Sequence, residues 1–443
     1  MKRMNRIGLG LALLGFAGLV LAGGCARNHT QEDGVVTLRM VIWGTPKDEA
    51  ALNEMMEVFM EENPNIRVRI EITPHARVFD KLLISFAGGR APDVSRVSSL
   101  WFYPLAAKGV LQDLTPFIEE DQEFDISDFY ETAVKGWGTY DKRVHALPTD
   151  LDLTAMYYNK RLFDKHGLSY PDETWDWEKY LEVAEALTKD TDGDGKIDQW
   201  GSTTDGFWQS YVYQNGGMIL NEDHTRCMLD QPEAYEAIQF MADLRQKHRV
   251  VPSPADTADI GQIGLWASGR IGMYFSGSWA AGLVFKDRVK DFEWDVAPVP
   301  KGRYRATFMG GSAFAMMSSS KHKKEAWELV KFMTSPYVQA RWAKEQQVMP
   351  SRKSVAKSGA FLDLDEPPAN RRVFIEAAKY GRTLPSVYST REMNDIISNY
   401  ISLALLGRAT AKEVCLDVTP KVNDLLRYDE KREQASRASQ ERN

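Results

Sequence analysis

The chain has 443 residues, with 55 Lys and Arg against 62 Asp and Glu, 43% apolar residues and 11% aromatics. That composition supports a real core and excludes wholesale disorder and collagen-like or coiled-coil fibres, while the length predicts two or three domain-sized units. A formal charge of −7, with no Lys/Arg run interleaved with aromatics in the folded part, argues against nucleic acid as a partner.

Residues 1–6 carry Lys2, Arg3 and Arg6 with no acid, and residues 7–24 carry no charge, which is the pattern of an export signal. An uncharged stretch of about 18 residues can just span a bilayer, but six glycines between Gly8 and Gly24 make it a poor anchor helix. Leu21-Ala22-Gly23-Gly24-Cys25 resembles the bacterial lipoprotein signal, with Ala22 standing where that pattern prefers Leu. The resemblance implies a signal peptide over residues 1–24 and acylation of Cys25. The mature chain is then expected outside the cytoplasm, in the periplasm or at the cell surface, held to a membrane by lipid alone through a polar tether over residues 25–34. Cys227 and Cys415 remain in the mature chain; they are no disulfide scaffold, and whether they pair is left open.

In residues 35–43, Leu38, Met40 and Ile42 alternate with polar positions and predict a strand. Thr45-Pro46 then offers a helix cap, Leu52, Met55, Met56 and Phe59 share one helical face, and Asn63-Pro64 stops the helix. Ile66, Val68, Ile70 and Ile72 alternate again. Strand, helix, strand predicts a parallel pair with its ligand crevice beyond the strand C-termini. A helix over about residues 79–86 ends at Gly88-Gly89, and a short strand starts at Pro92-Asp93-Val94. Beyond Leu147-Pro148 come a strand at residues 154–158, helices near 178–188 and 232–248, and a helix–strand pair at 261–275. The predicted class is α/β with two lobes. Residues 429–443 are charged, small or polar and read as a disordered tail.

Several segments together resemble the extracellular solute-binding proteins of ABC importers, in the carbohydrate-binding group. They are Leu82-Leu83-Ile84-Ser85-Phe86-Ala87-Gly88-Gly89 with Ala91-Pro92-Asp93-Val94, Leu147-Pro148 leading to Tyr157-Tyr158-Asn159-Lys160, and Thr174-Trp175-Asp176. Gln214-Asn215-Gly216-Gly217, Ala267-Ser268-Gly269-Arg270, Ser276-Gly277-Ser278-Trp279 and Gly310-Gly311-Ser312 complete the series. The resemblance implies a periplasmic-binding-protein-like fold with a hinged cleft. Lobe 1 is expected over residues 35–147 and about 303–355, and lobe 2 over residues 148–302 and about 356–428. Hinges are expected near Leu147-Pro148 and Val299-Pro300.

A sugar presents apolar C–H faces edged by hydroxyls, so its site needs aromatic plates and hydrogen-bonding carboxylates or amides. Trp43 and Thr45 follow the first strand, and Ser98 and Trp101 follow the third. Asp150 and Asp152 flank Leu151 after the first expected hinge. The resemblance places a ligand carboxylate at Asp152, a stacking aromatic at Trp279 and pocket-lining roles at Trp208 and Tyr388; Gly311 would let backbone approach the ligand. Each could equally pack in the core or sit solvated in a loop. Asp190, Asp192, Asp194 and Asp198 have the spacing of a calcium loop, but Gly201 stands where the bidentate Glu belongs, so a structural Ca2+ and a solvated Asx-turn both remain open.

The chain lacks a Gly-x-Ser-x-Gly elbow, a phosphate loop, a dinucleotide fingerprint and His-Glu-x-x-His, and its seven histidines are scattered. The expectation is therefore not an enzyme but a monomeric, lipid-anchored receptor that passes a sugar or oligosaccharide to an ABC permease and requires no cofactor. The alternatives are the same fold binding a polyol phosphate, peptide or cation, or a carbohydrate-active hydrolase using an unseen carboxylate pair.

Overall fold

The computed structural model describes residues 34–44, 46–203, 208–346, 348–362 and 365–440. The signal, Cys25, nearly all of the tether and Thr45 lie outside them. Among the described residues no helix is long and apolar enough to cross a membrane.

The first three strands form as expected, β1 (Val36–Ile42) and β2 (Ile66–Ile72) from their alternation and β3 (Val94–Ser98) from its Pro92-Asp93-Val94 start. Helix Pro46–Glu62 joins the first pair and buries Leu52, Met55, Met56 and Phe59. Both β2 and β3 pair with β1 in parallel, on opposite sides of it. The chain therefore reverses its winding at β1, which opens a crevice beyond the C-terminal ends of β1 and β3. A small hairpin follows, β4 (Thr139–Tyr140) and β5 (Arg143–Val144), turned by Asp141 and Lys142 with φ of 49° and 64°.

Next come β6 (Leu147–Leu153), β7 (Ala155–Asn159), β8 (Trp200–Ser202), β9 (Ile271–Ser276), β10 (Trp294–Ala297), β11 (Thr307–Met316), β12 (Met349–Pro350) and β13 (Gly381–Arg382). The larger sheet runs β12-β6-β11-β3-β1-β2, with β13 against the start of β11; the smaller runs β10-β7-β9-β8. Each sheet carries its own helices and forms one lobe. A shared apolar cluster runs across the junction from Val41 and Val97 through Leu153 to Tyr157 and Trp294.

Leu147 and Pro148 do not form a hinge but lie inside β6, paired with Phe314 and Ala313 of β11. The chain changes sheets at Thr154, between β6 and β7, and returns between β10 and β11. The two passages touch: Thr154 N–H donates to Phe308 O at 3.3 Å, and Thr307 Oγ1 donates to Thr154 O at 2.8 Å. A proline can sit in β6 because a bulge at this pairing leaves Thr149 as an extra residue opposite the Ser312–Ala313 step.

The last stretch also departs from expectation. Rather than fraying at Asp429, helix Ala411–Gln440 runs through it, and Asp429 is only 3% exposed. One face of it, Asp429, Glu433 and Ser436, meets polar partners, while Glu430, Lys431, Gln434 and Ala435 are exposed. Cys227 and Cys415 are buried free thiols in a helical core; burial pushes both pKa values up, that of Cys415 to about 12.

Gly201 shows how closely the smaller sheet meets its covering helix Trp177–Leu187, since a Cβ there would lie 1.9 Å from Ala184 O. Gly201→Ala is expected to destabilise the protein by about 1–3 kcal/mol. Urea unfolding checks this, and an unchanged midpoint would contradict so close an approach.

Candidate functional site

A cavity of about 540 Å3 opens at the β1/β3 crevice. The larger sheet contributes Trp43 and Gly44 from the end of β1, Ser98, Ser99 and Leu100 from the end of β3, and Asp150–Asp152 from β6. Gly311 and Ser312 of β11 complete that wall, while Ser278, Trp279 and Leu283 come from beyond β9 of the smaller sheet. The volume falls within the range of about 300–1,000 Å3 usual for small-molecule sites.

Its floor is an ion pair. Arg96 points from the fully buried strand β3 and donates from Nη2 to Asp150 Oδ2 at 2.9 Å and from Nε to Ser312 Oγ at 2.9 Å. The guanidinium lies 4.5 Å from the Trp43 ring centre and 5.0 Å from that of Trp342, so two indoles pack against the cation. Asp150 also accepts from Ser312 N–H at 2.9 Å, from Thr149 Oγ1 at 2.9 Å and from the Ser312 hydroxyl. Both Asp150 oxygens are thus committed to the protein.

Around this floor the wall is partly aromatic. His75 opens helix His75–Ala87 and lies 5.0 Å from Trp43, nearly edge-on, and 4.5 Å from Trp101, centre to centre. Desolvation against these rings, then the Arg96 charge, pulls its pKa down to about 4, so it is a neutral donor and acceptor at pH 7. Asp48 accepts from Gln346 Nε2 at 2.7 Å, fixing a carboxylate at the rim. On the facing lobe, a Cβ at Gly277 would lie 2.0 Å from Asp152 Oδ1 and 2.4 Å from Trp279 Nε1, so glycine is what lets both side chains close on that turn. The Tyr157 hydroxyl donates to Gly277 O at 2.9 Å; burial, then the Asp152 charge, raises its pKa. Ser278 Oγ ties the same turn to Leu151 O at 3.0 Å.

Of the residues predicted from sequence, Trp43, Ser98, Asp150, Asp152, Trp279 and Gly311 line this cavity. Gly311 is required by packing, because a Cβ would lie 2.2 Å from Asp150 O. Trp101 is not among the lining residues and stands behind the wall, 5.9 Å from Trp43 and 6.4 Å from Phe79. Trp208 belongs instead to the helical core with Tyr211, Met241 and Ile397, and is 7% exposed. Tyr388 also lies elsewhere, its ring 3.7 Å from Lys108 Nζ and 4.9 Å from the Arg432 guanidinium.

In the acidic loop, Asp190, Asp192 and Asp194 each bring a carboxylate oxygen within 4.8 Å of the others, but all three are exposed. Asp198 does not join them; it accepts from Thr191 N–H and Oγ1 at 2.9 and 2.6 Å. Asp190 accepts from the N–H groups of Gly193 and Gly195, as an Asx-turn residue does.

Asp48, His75, Arg96 and Gln346 were not singled out from the sequence. Arg96 alone left a signal there, as a charge between Val94 and Val97 in a strand otherwise made of apolar and small residues.

A family model described as "Bacterial extracellular solute-binding protein" matches residues 43–340. The chain belongs to that family. An ABC substrate-binding protein of Listeria monocytogenes in complex with cycloalternan is 27% identical, with a TM-score of 0.80 over 88% of this chain and 99% of that one. Maltose-bound MalE3 of T. maritima is 25% identical, with a TM-score of 0.74 over 88% of this chain and 100% of that one. A maltotriose-binding protein of Pyrococcus abyssi is 26% identical over 70% of this chain and 65% of its own length. The two-lobed binding-protein fold expected from the sequence is thereby shown, and the family is one of extracytoplasmic solute binders rather than enzymes.

For a solute-binding protein, a floor that is rigid before ligand arrives reduces the ordering cost of binding. Arg96→Met leaves the Asp150 charge buried and is expected to cost about 3–5 kcal/mol. Adding Asp150→Asn should recover part of that loss. Unfolding free energies of the two single variants and the double variant measure the coupling, and strictly additive costs would disprove it.

Proposed function

We propose that this protein is a lipid-anchored receptor that captures a neutral sugar or oligosaccharide in the cavity between its lobes and delivers it to an ABC permease driven by a cytoplasmic ATPase. The observation that carries this reading is the cavity itself, with an indole from each lobe, Trp43 and Trp279, beside the carboxylates of Asp48 and Asp152. Indole faces suit the apolar faces of a pyranose, and carboxylates accept from its hydroxyls. Ligand contacts to both lobes would favour the closed arrangement, which the permease then recognises. The ligands named for the Listeria, T. maritima and Pyrococcus proteins, which are cycloalternan, maltose and maltotriose, support a saccharide over the alternatives. The one guanidinium among the lining residues is already paired with Asp150, which disfavours a polyol phosphate. The receptor acts as a monomer and performs no covalent chemistry.

A thermal-shift screen of the full-length chain in detergent, against maltotriose, cyclic oligosaccharides, monosaccharides, polyol phosphates, peptides and metal ions, tests this reading. A saccharide-specific rise in Tm is expected. Trp279→Ala should weaken binding by about tenfold through loss of stacking. Shifts from peptides, phosphates or cations alone would sink the saccharide assignment.

The anchor has its own test. Radiolabelled palmitate should enter the wild-type chain and not Cys25→Ala, and the variant should leave the membrane fraction. Equal labelling of both would refute lipidation at Cys25.

A further inference from the structure

Helix Ala411–Gln440 begins in the helical core of the smaller lobe, where Val414, Cys415, Val418, Val422 and Leu425 are buried with Ile238 and Ile397. Phe240 packs against both this core and the core of the smaller sheet, and stacks on Trp177 at 4.3 Å. Beyond Leu426 the helix turns polar, yet that polar face is occupied. Asp429 accepts from Ser389 N–H at 2.7 Å and Ser389 Oγ at 2.6 Å.

One turn on, Glu433 Oε1 accepts from the hydroxyls of Tyr103 at 3.0 Å and Tyr140 at 2.8 Å, two rings packed edge-on at 5.2 Å. Ser436 Oγ donates to Ala107 O at 2.9 Å. The spacing of Asp429, Glu433 and Ser436 puts all three on one face. From the other side, Lys108 Nζ reaches back to Tyr388 O at 2.8 Å. Tyr103 and Ala107 lie on helix Phe102–Ala107, which follows β3 of the larger lobe and starts at Trp101. Trp101 in turn backs His75 and Trp43 in the cavity wall.

We propose that the C-terminal helix straps the two lobes together and that Glu433 is a positioning residue for the ligand cavity, acting through Tyr103 and Trp101. The strap rests on the receptor reading only in taking this cavity as the ligand site. It explains why a segment of charged, small and polar residues is helical and why Tyr388, away from the cavity, has two cations against its ring. Its contacts hold the arrangement in which both lobes line the cavity, so losing them favours other arrangements at the expense of binding.

The test uses full-length chain labelled with 5-fluorotryptophan, with the 19F resonances of Trp43, Trp101 and Trp175 assigned by Trp→Phe replacement. Glu433→Leu should move the Trp101 and Trp43 resonances and leave that of Trp175, in the smaller lobe's core, in place. Glu433→Gln keeps an acceptor oxygen and should restore the wild-type positions. Maltotriose, as the probe ligand, should bind Glu433→Leu severalfold more weakly than wild type. The strap is overturned if Glu433→Leu lowers Tm without moving the two resonances, or if Glu433→Gln moves them as far as Glu433→Leu does. If maltotriose fails to bind even the wild type, that counts against the saccharide reading, and the two resonances alone decide the strap.

Discussion

The Arg96–Asp150 pair holds the cavity in place. It joins β3 to β6, and through Ser312 it includes the β11 strand between them, so three neighbouring strands are locked in register beneath the crevice. A buried ion pair is poor evidence for stability, because desolvating two charges offsets most of their attraction. Its value here is geometric. The guanidinium packs against both Trp43 and Trp342 and so backs the indole that lines the cavity. The Thr149 bulge belongs to the same device, since the extra residue brings its hydroxyl to Asp150 Oδ2 at 2.9 Å.

That rigidity contrasts with the way the lobes are joined. β6 passes into β7 through the single residue Thr154, and β11 begins against the same residue. Two of the chain's passages between lobes run side by side here, bonded to each other, and a further one follows β12, where the chain leaves the larger sheet for the helical core of the smaller lobe. A rotation at these passages would leave the ion pair undisturbed, because Arg96 and Asp150 both lie in the larger sheet. The wall elements divide accordingly: Trp43, His75 and Arg96 belong to the larger lobe, while Trp279 and the Gly277 turn follow β9 of the smaller one.

Much of this was legible from sequence because strand periodicity reports burial directly. β1, β2 and their connecting helix follow from alternating and helical apolar spacing, and so does the crevice that puts Trp43 and Ser98 at strand ends. The first expected hinge was misplaced because Pro148 reads as a break, whereas a bulge lets a strand tolerate it; Val299-Pro300 does lie in the passage between β10 and β11. Asp150 was read as a ligand carboxylate because sequence shows the acid and not the four hydrogen bonds, from Arg96, Thr149 and Ser312, that occupy it. Trp208 was misassigned for a related reason: an aromatic near a glycine pair has no periodicity to say which way it faces. Arg96 and His75 were missed because their roles depend on contacts between residues far apart in the chain, which spacing does not encode.

The C-terminal segment exposes the same limit from the other side. Low hydrophobicity predicts disorder because a polar segment cannot repay its ordering entropy by burying apolar surface. Residues 429–436 repay it differently. They extend a helix whose first half is already anchored by apolar packing, so each added residue costs propagation and not nucleation. The remaining cost is met by charge-assisted hydrogen bonds to Ser389, Tyr103 and Tyr140, the stronger class of such bonds. Composition alone cannot separate the two cases, because the deciding partners, two tyrosine hydroxyls and a serine, lie 40 to 330 residues away along the chain.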